Sequence, residues 1–213
     1  MKITYLSIAL LLLLPSCGTP DRPMNLTDAK KQVQRYYEHG DYYKDLDAAI
    51  TRATNHFQNV PVDDRTVVIF DIDETSLTDY PDTKSISFGY IPKLSHEWVL
   101  EADAPAIPQV KKLYDFLVGR GFKIIFLTGR KHDEHAATIK NLKREGYTEF
   151  DKLIVRQPEE RKITAKAYKS ARRKQLTKEG YHIVGCVGDQ ESDLTGDNTG
   201  YEVKLPNYIY RID

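Results

Sequence analysis

The chain has 213 residues, 40% of them hydrophobic, enough for one well-cored domain plus an accessory element. Basic and acidic residues number 31 each, so the formal net charge is zero and nothing favours nucleic acid as a bulk electrostatic partner. The basic run over residues 169–178 reads as a solvated helix face.

The chain opens on Lys2, a mostly apolar stretch over 3–14, and then Pro15, Ser16, Cys17 and Gly18. A charged start, an apolar segment too short to span a bilayer and small residues at its end predict a signal peptide over 1–16. Leu14-Pro15-Ser16-Cys17 resembles a bacterial lipobox. That resemblance implies lipidation of Cys17, a membrane contact through the N-terminal lipid, and export to the bacterial cell envelope as an outer-membrane or periplasmic lipoprotein. Residues 17–27 read as a tether. Over 28–60, Val33, Tyr36, Tyr37, Leu46, Ile50 and Phe57 recur at helical spacing around Gly40, predicting a helical N-terminal extension of two segments.

Residues 61–213 read as the core. Thr66–Phe70 is a continuous apolar run, the pattern of a strand buried on both faces. It ends in Asp71 and Asp73, two anions that need a proton, a cation or a metal to offset them. Residues 77–105 lack clean periodicity and hold Tyr80, Phe88, Tyr90 and Trp98, predicting a small cap inserted after the first core strand. A helix follows over 108–120, stopped by Gly121, then a strand over 122–127 ending in Thr128-Gly129-Arg130. A helix over 135–144 closes at Gly146. A strand over 152–155, a helix over 165–178, a strand over 181–187 and a fifth strand over 202–205 complete the pattern. Strands alternating with helices predict an α/β fold, a Rossmann-like parallel sheet with helices on both faces. Cys186, inside the fourth strand, reads as a small buried hydrophobe. His132 and His135 read as surface residues.

In such a sheet the strand ends converge on one rim. Asp71 and Asp73, Thr128, and Asp189 with Asp193 all follow strands, while Lys169 sits on the helix between the third and fourth. This inventory suits phosphoryl transfer. A carboxylate can take a phosphoryl group covalently. Hard oxygen ligands suit Mg²⁺. A hydroxyl and an ammonium can hold the remaining phosphate oxygens.

Asp71-Ile72-Asp73-Glu74-Thr75, Leu127-Thr128-Gly129-Arg130, Tyr168-Lys169-Ser170 and Gly188-Asp189-Gln190-Glu191-Ser192-Asp193 resemble the four ordered motifs of the haloacid dehalogenase superfamily. The flanks, among them Trp98-Val99-Leu100-Glu101 and Lys204-Leu205-Pro206-Asn207, resemble its branch of class C acid phosphatases, outer-membrane lipoprotein phosphatases and plant vegetative storage proteins. The resemblance implies that Asp71 is the nucleophile and Asp73 the general acid and base. It implies that Thr128, the Gly129 amide and Lys169 hold the phosphoryl oxygens. Mg²⁺ would be bound by Asp71, the Asp73 backbone carbonyl and Asp189, with Asp193 ordering its waters.

The expected activity is Mg²⁺-dependent hydrolysis of small phosphomonoesters through an aspartyl-phosphate. A 5′-nucleotidase is the finer expectation, because an aromatic side chain in the cap can stack a base for about 1–3 kcal/mol; Trp98 is read as packing the cap. Phosphotransfer to alcohol acceptors and a non-catalytic storage or binding protein are the alternatives, and a homo-oligomer is left open. Two departures stand out: Glu191 replaces a Trp frequent in the family, and Tyr208-Ile209-Tyr210 replaces the family's ending near the substrate pocket.

Overall fold

A computed structural model describes residues 23–212. The expected signal peptide, Cys17 and most of the expected tether lie outside these described residues. Asn25 caps the first helix by accepting from the Thr27 amide, so α1 (Leu26–Glu38) begins inside the stretch read as tether. Gly40, at φ 94°, turns the chain into α2 (Asp41–Phe57). Leu46, Ala49, Ile50, Ala53 and Phe57 form the buried face of α2 at helical spacing.

The core is a sheet of β1 (Thr66–Phe70), β2 (Lys123–Lys131), β3 (Lys152–Arg156), β4 (His182–Gly188) and β5 (Tyr201–Lys204). Every neighbouring pair is parallel, in the order β3-β2-β1-β4-β5. All of β1 is buried. Val68 and Phe70 join the cluster under α1, α2 and α5 (Pro108–Gly119), while Val67 and Ile69 pack with Tyr168 and Leu176 of α7 (Ala165–Lys178) on the opposite face. Helices therefore cover both faces, as the sequence predicts. Phe57 presses onto the sheet: a Cβ on Gly185 would lie 2.5 Å from its ring.

β2 runs past its expected end and through Thr128, Gly129 and Arg130, because pairing with β3 resumes at Lys131 and Arg156 after an irregularity. Residues 77–105 fold into two short helices, α3 (Tyr80–Ser85) and α4 (Pro92–Glu101), each with a proline in its first turn. Neither is deeply packed: α3 fully buries no residue and α4 only Val99. The remaining helices are α6 (His135–Arg144) and α8 (Glu191–Leu194).

Candidate active site

The strand order reverses at β1. β2 and β3 lie on one side and β4 and β5 on the other, so the crevice at the C-terminal ends of β1 and β4 is the switch point of the sheet. The Asp71 amide extends the pairing by donating to the Val187 carbonyl at 2.9 Å, which brings Asp71 and Asp189 side by side. Asp193 follows on α8. Gly188 makes room for it: a Cβ there would fall 2.3 Å from the Asp193 Cβ.

Carboxylate oxygens of Asp71, Asp189 and Asp193 lie within 4.8 Å of one another, all buried. Lys169, 5% exposed, reaches in from α7. Its ammonium donates to Asp71 Oδ1 at 2.7 Å and to Asp193 Oδ1. One cation thus faces three carboxylates. Burial and the charge of Asp193 push Asp71 well above the ordinary carboxylate range despite Lys169. The same two causes push Asp189 up to about 6, opposed by hydrogen bonds from Asn207 and Gln190. Burial works against the Lys169 charge, but Asp193 and Asp71 outweigh it and raise its pKa.

This surplus of buried negative charge, presented as hard oxygens, fits a divalent cation. Asp189 is prepared on several sides: Thr75 Oγ1 donates to it at 3.1 Å, Asn207 at 2.7 Å and Gln190 at 2.5 Å. Asp193 is held as well: Lys169 donates to its Oδ1 and the Gln190 amide to its Oδ2 at 2.9 Å.

Asp73 has a different neighbour. Burial would raise its pKa, but Arg130 prevails and holds it below the ordinary range. The Arg130 guanidinium meets Asp73 Oδ1 at 2.9 Å through Nε and 2.7 Å through Nη2. Thr138 accepts from the same guanidinium at 3.3 Å, and Asp79 lies 4.0 Å away. The two aspartates of the Asp-Ile-Asp run are therefore matched to separate cations.

Thr128 is fully buried beside them and accepts from the Arg130 amide at 3.1 Å. Gly129 is exposed in the cleft, with open space where a Cβ would be. The cleft measures about 550 Å³ and is lined by Asp71, Asp73, Gly129 and Lys169, by Phe88, Tyr90 and Trp98 of the cap, and by Ile209 to Ile212 after β5.

Sequence reasoning did not single out Arg130, Asp79, Thr75, Gln190 or Asn207. Four of them, all but Asp79, lie inside the motifs and flanks given above, but the partners of Thr75, Arg130 and Asn207 come from elements distant in sequence. Glu191 is exposed at the start of α8. Cys186 is a buried free thiol, as expected of a small hydrophobe, with burial pushing its pKa up to about 12.

A parallel α/β core with paired carboxylates at its switch strand and a lysine over them is an arrangement that suits phosphoryl transfer. The chain belongs to the HAD superfamily, subfamily IIIB (acid phosphatase), whose family model matches residues 22–213. It is a phosphoric monoester hydrolase, and its substrate is a small phosphomonoester.

Similar proteins include the Stem 28 kDa glycoprotein of Glycine max, 39% identical over 188 residues covering 85% of this chain and 74% of that protein. Acid phosphatase 1 of Solanum lycopersicum is 36% identical over 186 residues, 84% of this chain and 73% of that one. Vegetative storage protein 1 of Arabidopsis thaliana is 35% identical over 150 residues, 68% of this chain and 55% of that one. The solved class C acid phosphatase from Bacillus anthracis shares the fold at a TM-score of 0.72, with 22% identity over 87% of this chain and 86% of that one.

These relatives correct one expectation. The sequence-matched relatives named are soybean, tomato and Arabidopsis proteins, which points to a plant-type protein and overturns the reading of a bacterial-envelope lipoprotein. The membrane contact through Cys17 finds no support in these relatives. Among the described residues no helix is long and apolar enough to cross a membrane.

Proposed function

We propose that the enzyme hydrolyses phosphomonoesters in two steps through an aspartyl-phosphate on Asp71. The observation that carries this reading is the placement of Lys169 2.7 Å from Asp71 Oδ1 in the cleft that Gly129 also lines. Asp71 attacks phosphorus and the ester P–O bond breaks. The leaving oxygen takes a proton from Asp73 and departs as the alcohol. Water then attacks the phosphorus, the bond to Asp71 breaks, and Asp73 recovers a proton from that water.

The second step needs a base, and Arg130 keeps Asp73 in the accepting form. The first needs a proton on Asp73. The second step returns that proton each turnover, and Asp79 beside the pair has its pKa raised by burial and by the Asp73 charge. Lys169, the Thr128 hydroxyl and the Gly129 amide hold the equatorial oxygens, where charge develops.

The cation in this proposal is Mg²⁺, held by Asp71, the Asp73 backbone carbonyl and Asp189, with Asp193 ordering its waters. It would supply positive charge to the transferring phosphoryl group.

Nucleoside monophosphates are the substrates proposed first, because Phe88 and Tyr90 face the cleft and Tyr90 is 75% exposed, free to meet a base. The storage-protein names among the relatives favour the non-catalytic alternative in part. The intact Asp71–Lys169 pair opposes it.

Asp71→Asn is the test. It is expected to abolish phosphate release from 4-nitrophenyl phosphate and from nucleoside monophosphates while the circular-dichroism spectrum stays unchanged. Near-normal turnover by that variant overturns the mechanism, and undiminished turnover in EDTA overturns the metal assignment.

A further inference from the structure

The cap helix α4 is seated on the core by polar contacts more than by burial. Of its ten residues only Val99 is fully buried. His96 meets Glu134 of the core at 2.7 Å, and Glu134 in turn accepts from the Lys131 amide at 2.6 Å. The second anchor is Trp98. Its ring is half-buried, and its indole N–H donates to Asp79 Oδ1 at 2.8 Å. Asp79 is itself fixed, because its amide donates to Glu74 Oε1 at 2.6 Å. The same Asp79 Oδ1 lies 4.0 Å from Arg130 Nη2, which holds Asp73 Oδ1 at 2.7 Å. A continuous chain therefore runs from the cap to the aspartate beside the leaving group: Trp98, Asp79, Arg130, Asp73.

We propose that Trp98 and Asp79 are positioning residues that tie the seating of α4 to the aim of Asp73 at the leaving oxygen. The proposal rests on the acid role given to Asp73 above. Arg130 is 2% exposed in its side chain and can swing only within the space its neighbours leave. Asp79 on one side and Thr138 on the other set that space. When α4 is seated, Trp98 occupies one side of the Asp79 carboxyl, so Asp79 presents a fixed face to Arg130. When α4 lifts, that restraint goes, and the Arg130–Asp73 pair loses its set direction. Proton transfer to a leaving oxygen is sensitive to this direction. The cleft that α4 closes is the one holding the leaving group, so a bound substrate would itself favour the aligned arrangement.

The test separates aim from stability through the leaving group. An oxygen that departs as a weak base needs little help from Asp73, whereas an alkoxide needs its proton. The parameter kcat/KM reports steps up to departure of that group. Three substrates of similar size serve, in order of rising leaving-group basicity: 4-nitrophenyl phosphate, phenyl phosphate and benzyl phosphate.

Trp98→Phe keeps an aromatic ring but removes the indole donor together with its pyrrole half, so a loss shared by all three substrates is assigned to packing and only the slope to aim. It is expected to lower kcat/KM for benzyl phosphate about tenfold or more while 4-nitrophenyl phosphate changes by less than about threefold, a fraction of the general-acid contribution. Asp79→Asn keeps the shape and is expected to show the same slope. Equal losses on all three substrates in both variants, or no loss, overturn the proposal. Asp73→Asn calibrates the series. A steep slope there with flat Trp98→Phe and Asp79→Asn overturns the relay alone. A flat Asp73→Asn overturns the acid role of Asp73 and the relay with it.

Discussion

Lys169→Met probes the charge balance of the site most directly. The substitution keeps much of the length of a 5% exposed side chain and removes the ammonium that donates to Asp71 and Asp193 in the cluster with Asp189. Their oxygens lie within 4.8 Å of one another. Two unit charges at that spacing repel by about 3.5 kcal/mol at an effective dielectric near 20. That agrees with the roughly 3–5 kcal/mol measured when one partner of a buried ion pair is removed. At about 2–4 °C of melting temperature per kcal/mol for a chain of this size, the variant is expected to melt about 6–20 °C lower in EDTA.

Mg²⁺ should return part of this, since a ligand at about 100 times its dissociation constant contributes roughly 2.7 kcal/mol. The stabilisation by Mg²⁺ is then expected to be larger in the variant than in the parent protein. Activity should fall by about 10²–10³, the loss typical of one missing charge-stabilising donor. Thermal unfolding with EDTA or Mg²⁺, and phosphate release under saturating Mg²⁺, give the two readings. A melting temperature in EDTA equal to the parent's, together with kcat/KM within about tenfold, would refute the account of a cation-starved cluster.

Arg173 is fully buried and donates to the backbone carbonyls of Asp193, Thr195 and Asp197, so Arg173→Met strands acceptors at about 1–3 kcal/mol each. Urea unfolding should show a loss of about 3 kcal/mol or more, and an unchanged midpoint contradicts it. The Cys186 thiol, raised to about 12 by burial, should resist iodoacetamide in the native protein at mildly alkaline pH and react once urea unfolds the chain. Because its folded pKa lies above the unfolded one, its contribution to stability is complete below the unfolded value and is lost as pH rises towards 12. Cys186→Ala should therefore flatten the alkaline limb of the stability curve, and an identical limb counts against this.

The core was legible because its signals are local. The apolar run Thr66–Phe70 has to be buried on both faces, and the carboxylates that follow it can only emerge at the rim. The same holds for β4 and Asp189. Elements bounded by Gly121, Gly146 and Gly180 fell close to their expected ends because a left-handed glycine stops a helix whatever surrounds it. What was hidden depends on contacts distant in sequence. Arg130 matters because it lies against Asp73, which is 57 residues away. Asn207 matters because β5 brings it to Asp189. Trp98, read as packing, does pack on the core, and its N–H also reaches Asp79, which no local pattern reveals. The cap showed no periodicity because its helices are short and nearly unburied, so no apolar stripe was required of it.

The N-terminal helices serve the site as well as the core. Tyr37 of α1 stacks on Tyr80 of the cap at 4.8 Å and 9°, and on Tyr42 of α2 at 4.4 Å. Glu38 takes the Tyr80 hydroxyl at 2.9 Å and Lys84 at 2.5 Å. Tyr36 meets the edge of Tyr208 at 4.8 Å, and the Tyr208 amide donates to the Tyr37 hydroxyl at 3.4 Å. One turn of α1 thus grips α3 on one side and the segment after β5 on the other. That segment carries Asn207, which orients Asp189, and Ile209 to Ile212, which wall the cleft. Aromatic pairs of this geometry each contribute about 0.5–1.5 kcal/mol beyond their buried area. Several acting together can fix two weakly buried segments that the sheet alone would leave loose. The departure at Tyr208-Ile209-Tyr210 then has a physical consequence: Tyr208 gives α1 an aromatic edge to hold, so the wall of the cleft is set by the N-terminal helices as much as by the strand that precedes it.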